Sequence, residues 1–254
     1  MPRSWRRRSL ALLAVVLAAV PAGCGSSDDD DLPVSAATSL KSAFERYGEQ
    51  FDAARTQFSF AGSDELAAQI RAGAKPAVFA AANTKLPDQL YEDGLVEKPT
   101  TFATNRLVLA VPAKDAKVDS FDDLTTPRVR IATGSPTVPI GSYTRKVLGR
   151  LDPAERKAIL ANVRSNEPDV GGISAKLTQG AVDAGFLYIT DVKATNGRLR
   201  AIELPKELQP EVAYGVAIVK GAKNHKAAED FVAGLLDGDG AAALKAAGFE
   251  PPPS

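Results

Sequence analysis

The sequence predicts an α/β protein of two lobes around a cleft, and three observations predict it. Short apolar strands that run through a serine or glycine turn into an amphipathic helix recur at VSAATSLKSAF, FSFAGSDELAAQI, RIATGSPTVPIGSY and EPDVGGISAKL. Alternating strand and helix predicts parallel pairing through right-handed crossovers. Two long apolar runs, Leu107 to Pro112 and Tyr214 to Val219, read as buried strands and bracket the middle of the chain. That bracketing predicts a hinge protein with one lobe made from both chain ends and the other from the middle.

At the N-terminus, Arg3, Arg6, Arg7 and Arg8 precede an apolar run from Leu10 to Val20 that is too short to span a bilayer. This is the layout of a secretory signal. PAGC, ending at the single cysteine Cys24, resembles a bacterial lipobox with Pro21 in the usual aliphatic position. The expected organisation is a signal peptide over 1–23, a tether over 24–32, lobe I over 33–108 and 215–254, and lobe II over 109–214. The acidic run GSSDDDD in the tether is a solvated spacer, because four consecutive aspartates cannot converge on one ion without structure to fold them.

In VSAATSL the strand from Val34 gives way at Ser39 to a helical stripe of Leu40, Ala43, Phe44, Tyr47 and Phe51, which puts Ser39 at an N-cap. Ser63 stands likewise between the strand carrying Phe58 and Phe60 and a helix carrying Leu66, Ala67 and Ile70. Both serines read as caps, or as donors to a shared anion where two helix N-termini meet at the carboxyl edge of a sheet. Ala77 to Ala82 form the next strand, followed by a helix through Leu86 and Leu90 that stops at Gly94. Val129 to Ala132 lead into a rigid loop of Gly134, Pro136 and Pro139, then a helix from Gly141. Asp152-Pro153 cap and open another helix. Asp169 to Gly172 precede a helix ending at Gly180, and Ala184 to Tyr188 form a strand. Val212 to Gly221 is the second long strand, and helices over Lys226 to Leu236 and Ala241 to Ala247 close the chain.

Formal charge is zero over the whole chain, with 31 basic and 31 acidic residues. Loss of the four signal arginines leaves an excess of four acidic side chains, so nucleic acid and anionic lipid surfaces are poor partners. With one cysteine there is no intrachain disulfide.

AATSLKSAFERYGEQF, FAGSDELAAQIRAGA, NRLVLAVP, SPTVPIGSY, EPDVGGISAKL, GFLYITDV, VAYGVAIVKG and AAALKAAGF stand in an order and spacing that resembles the periplasmic molybdate-binding proteins of ABC importers. The resemblance covers Pro33 to Phe249. It implies a type II periplasmic binding protein fold, with two mixed sheets flanked by helices and a ligand cleft between lobes. It further implies capture of molybdate or tungstate and delivery to an ABC transporter permease, by an exported monomer in the periplasm or anchored as a lipoprotein through Cys24. Ser39 and Ser63 match the family's two ligand serines, Ile140 and Val170 its backbone donors, and Tyr188 its ligand tyrosine. The oxyanion is then held through its oxygens, with no cofactor and no cation site. Ile140 stands where the family has alanine, and Ser135 where it has aspartate. Glu167 lies near the carboxylate ligand of related six-coordinate binders, whereas VPIGSY resembles the tetrahedral class.

Hydroxyls and backbone N–H groups supply donors without a counter-charge, which suits a fully deprotonated dianion. Asp64 and Asp169 flank the donors and can supply an acceptor for a protonated anion, so sulfate and phosphate are the alternative ligands. The alternative of another class is a periplasmic enzyme on the same fold. The single histidine, His225, lies in the hydrophilic run KGAKNHKAAED, there is no G-x-S-x-G and no P-loop, and a serine nucleophile at Ser39 or Ser63 would lack a base other than an unusual lysine.

Overall fold

The computed structural model describes residues 31–252; the expected signal peptide, most of the expected tether and Cys24 lie outside the described residues. Among the described residues, ten strands form two five-stranded sheets. The first comprises β1 (Asp31–Ala37), β2 (Arg55–Ala61), β3 (Val78–Ala81), β4 (Thr100–Asn105) and β10 (Val212–Ile218), in the order β2-β1-β3-β10-β4. The second comprises β5 (Leu107–Pro112), β6 (Ile131–Gly134), β7 (Val163–Glu167), β8 (Ala184–Tyr188) and β9 (Leu199–Glu203), in the order β7-β6-β8-β5-β9.

The two sheets share one plan. In each, the strand next to one edge pairs in parallel with both neighbours, β1 with β2 and β3, and β6 with β7 and β8. In each, an apolar strand, β10 or β5, then joins antiparallel on both its sides. The chain passes from the first sheet to the second across Arg106 and returns between Glu203 and Val212. The sheets are therefore mixed, as expected: strand-helix alternation gives the parallel pairs, and the two long apolar strands insert against that direction.

Asp31 and Leu32 belong to β1 rather than to a free tether. The Asp31 carboxylate receives Arg55 at 2.7 Å and Gln57 at 2.8 Å from β2, which pins the start of the parallel register. Helices α1 (Lys41–Gly48), α2 (Ser63–Arg71), α3 (Lys85–Glu92), α8 (His225–Leu236) and α9 (Asp239–Ala247) gather around the first sheet. Helices α4 (Pro139–Gly149), α5 (Pro153–Asn162), α6 (Val170–Thr178) and α7 (Ile189–Ala194) accompany the second. Alternation along β3 decides which face each side chain serves: Val78 and Ala80 join the main core, while Phe79 and Ala81 pack with Leu66, Ile70 and Leu90 of α2 and α3. Phe44, Phe58, Phe102 and Phe231 make tilted and edge-on ring contacts that bind α1 and α8 to the sheet.

Asp152 caps α5 as the sequence predicts, accepting from the Ala154 N–H at 2.8 Å. No helix among the described residues is long and apolar enough to cross a membrane.

Candidate anion-binding site

Each helix of interest follows the carboxyl end of a parallel strand, and these ends face one another across the two sheets. From the first sheet, β1 delivers Thr38 and Ser39, β2 delivers Gly62 and Ser63, and β3 delivers Ala82. From the second, β6 leads to Val138, Pro139 and Ile140, β7 to Pro168, Asp169 and Val170, and β8 ends on Tyr188. All of these line one small cavity, with about 20 Å³ open to the centre of a water molecule. A single water centre needs about 10–15 Å³, so the space exceeds one water and suits a small, compact ion.

The structure thus brings together all five residues singled out in the sequence: Ser39, Ser63, Ile140, Val170 and Tyr188. All five are buried. Their surroundings set what each can do. Ile140 is the second residue of α4 and Val170 the first of α6, positions where backbone N–H groups have no partner within the helix. The helix dipole adds positive potential at these ends. Among the described residues no basic side chain lines the cavity, and Asp169 is the one charged group that does.

Neither serine is a helix cap, contrary to the sequence expectation. Ser39 lies in a 3-10 turn, Thr38–Leu40, that precedes α1, and its Oγ is 3.0 Å from the Tyr214 hydroxyl. Ser63 is the first residue of α2, after Gly62, and its Oγ accepts from the Ala82 N–H at 3.1 Å. Gly62 takes the preceding position because its backbone approaches the other lobe: an added Cβ there would sit 2.5 Å from the Pro168 carbonyl oxygen. Each hydroxyl is occupied from behind, which leaves its other side for the cavity.

Tyr188 is 1 % exposed, and its hydroxyl is buried with no hydrogen-bond partner among the described residues. Burial pushes the phenol well above its ordinary pKa, and the neighbouring Tyr214, Tyr143 and Asp191 push the same way, so it holds its proton. A buried hydroxyl left without a partner costs about 1–3 kcal/mol, and its position at the cavity wall is where an anion oxygen would satisfy it.

The flanking carboxylates behave differently from one another. Asp169 caps α6 through the Gly172 N–H at 3.0 Å and accepts from Thr38 Oγ1 at 3.2 Å, joining the two lobes at the cavity. Thr38 is a contributor that sequence reasoning missed. Asp64 and Glu167 do not line the cavity, and Glu167 is held instead by Ser165 and, at 3.5 Å, by Lys176. His225 lies far along the chain beside Glu97 at 2.6 Å, outside the cavity.

Asp191 accepts from the Tyr188 N–H at 3.0 Å. Burial pushes its pKa up to about 7, with the Asp169 charge adding to the rise and the Tyr188 hydrogen bond opposing it. An acid whose folded pKa lies above its unfolded value of about 3.9 binds more protons when folded, so its destabilisation is absent below about pH 4 and complete above about pH 7. Asp191→Asn keeps an acceptor for Tyr188 and removes the charge. In urea titrations it should exceed the parent by roughly 2 kcal/mol at pH 8, allowing for partial solvent access, with the gain vanishing near pH 4. An equal gain at both pH values would contradict a buried acid that titrates near neutrality.

Comparison with known proteins places this geometry in context. The molybdate-binding protein ModA of Mycobacterium tuberculosis is 33% identical over 98% of this chain and 99% of its own length. The molybdate-binding protein ModA of Escherichia coli is 30% identical over 92% of this chain and 94% of its own. The solved periplasmic molybdate-binding protein of Azotobacter vinelandii superposes with a TM-score of 0.78 at 24% identity, covering 87% of this chain and all of that one. The fold is accordingly the type II periplasmic binding protein fold, two lobes with mixed sheets and a ligand cleft between them. With its family description matching residues 32–250, this chain belongs to the bacterial extracellular solute-binding proteins.

Proposed function

We propose that this protein captures molybdate or tungstate outside the cytoplasm and delivers it to an ABC transporter permease. The observation that supports the reading is the cavity itself: Ser39, Ser63, Ile140, Val170 and Tyr188 from two lobes line space for one compact ion, and among the described residues no basic side chain lines it and the buried Tyr188 hydroxyl has no partner. Ser39 Oγ, Ser63 Oγ, the N–H groups of Ile140 and Val170, and Tyr188 Oη would each donate to an anion oxygen. The protein acts by binding and release, without catalysis. The names of the curated relatives support the same ligand.

Two sheets joined at Arg106 and again over 204–211 support a division into one lobe from both chain ends and one from the middle, which close on the ligand as hinged bodies. Export rests on the N-terminal signal pattern and the family. Anchoring rests on Cys24, and Cys24→Ser should move the protein from the membrane fraction to the soluble fraction. Unchanged membrane association would refute lipidation there.

Calorimetric titration of the soluble chain from Asp31 tests the ligand. With donors fixed on rigid turns, the shorter bonds of sulfate leave donors unmet, at about 1–3 kcal/mol each, so sulfate should bind roughly a hundredfold more weakly than molybdate. Tungstate, nearly equal in size and charge to molybdate, should match it. Asp169 at the cavity wall favours phosphate as the second reading, since a carboxylate can accept the proton phosphate carries. Phosphate binding as strong as molybdate binding, and lost in Asp169→Asn, would establish that reading instead.

A further inference from the structure

Behind Ser39 lies a buried polar chain that the anion site alone does not explain. Tyr214, in the middle of β10, is fully buried, and its hydroxyl sits 3.0 Å from Ser39 Oγ and 3.4 Å from Asn105 Nδ2. Asn105 ends β4 at the crossing between the sheets, 5 % exposed, and its Nδ2 also donates to Thr190 Oγ1 of α7 at 2.9 Å. The amide has one orientation, because its Oδ1 accepts from the Arg106 N–H at 2.9 Å.

That orientation makes Asn105 the donor to Tyr214 and favours one direction along the chain. An amide nitrogen only donates, so the Tyr214 oxygen accepts from Asn105, and among the described residues Ser39 Oγ is the acceptor within reach of its own proton. Ser39 Oγ then accepts from behind, and its single proton is left for the cavity. Ser63 is set in the same sense by a backbone donor, the Ala82 N–H.

We propose that Tyr214 is a positioning residue whose hydroxyl, oriented by Asn105, fixes Ser39 as a donor toward the anion and so biases the site toward anions that carry no proton. This rests on the oxyanion reading above and adds to it the group that decides which way Ser39 points its proton. Without the Tyr214 hydroxyl, Ser39 can turn its proton inward or outward, which weakens its bond to a dianion and lets it accept from a protonated one.

The test uses Tyr214→Phe, Ser39→Ala and the double variant, titrated calorimetrically at neutral pH with molybdate, sulfate and phosphate. Tyr214→Phe should lower molybdate affinity about tenfold, the scale of one charged hydrogen bond. In the Ser39→Ala background it should cause no further loss. The preference for molybdate over phosphate should shrink, whereas the preference over sulfate, which carries no proton, should hold; a general loosening of the fold would not separate the two. Asn105→Asp offers Tyr214 an acceptor in place of a donor, reverses the chain, and should weaken molybdate binding at least as much. Wild-type affinity in Tyr214→Phe or Asn105→Asp, additive losses in the double variant, or parallel changes in both preferences would overturn the proposal while leaving the oxyanion reading in place. Failure of the unmodified protein to bind molybdate would overturn that reading itself.

Discussion

Replacing Ser39 and Ser63 together by alanine is expected to weaken molybdate binding by roughly two to four orders of magnitude, because each lost donor leaves an anion oxygen short of a hydrogen bond at about 1–3 kcal/mol. The loss belongs to binding and is not an indirect effect of helix fraying, since neither hydroxyl caps a helix. Stability without ligand should also fall. Ser63 Oγ is the acceptor for the buried Ala82 N–H, and stranding that group costs about 1–3 kcal/mol. Calorimetry for affinity and urea unfolding for stability separate the two. A variant that unfolds more easily but binds molybdate at parent strength would show that the serines are structural only.

Gly141→Ala should damage both binding and stability, through the backbone alone. A Cβ at residue 141 would stand 1.9 Å from the Ser135 carbonyl oxygen and 2.4 Å from that of Gly134. Both obstacles are backbone atoms of the turn that closes through the Val138 N–H to Ser135 bond, so the turn itself must move and carry the Ile140 N–H with it. A stability loss of about 3 kcal/mol is the scale of such overpacking, and molybdate affinity should drop at least about tenfold with the displaced donor. Gly149→Ala is the control in the same helix, with nothing within 4 Å of its added Cβ, and it should be neutral or slightly stabilising. Parent-level binding in Gly141→Ala would mean that the loop before α4 does not contribute to the site.

What the sequence made legible, and what it hid, follows from where each element sits. β8 is predicted to the residue, Ala184–Tyr188, because it is buried on both faces and its apolar run has clear ends. The strands missed are β4, β7 and β9, with sequences TTFATN, VRSNE and LRAIE. All three are edge strands, so polar residues face solvent and the apolar signal thins out. The serine-cap expectation fails for a related reason. Local pattern sees the helix that follows a serine, whereas the partner of Ser39 is Tyr214, 175 positions away on a strand that reads simply as apolar. Ser39 and Ser63 were legible as possible anion donors from local pattern, whereas Ile140, Val170 and Tyr188 were legible only through family resemblance, since nothing local distinguishes them from ordinary core. Thr38, which joins Asp169 across the cavity, carried no signal beyond its place beside Ser39.

The central claim is that one oxyanion sits where the two sheets' carboxyl edges meet. Anomalous diffraction at the molybdenum edge, from crystals of the soluble chain grown with molybdate, tests it most directly. The account predicts a single strong peak in the cavity, with anion oxygens at hydrogen-bond distance, about 2.7–3.1 Å, from Ser39, Ser63, the Ile140 and Val170 N–H groups and Tyr188. Crystals that bind molybdate elsewhere, or leave this cavity without a peak at saturating anion, would contradict it.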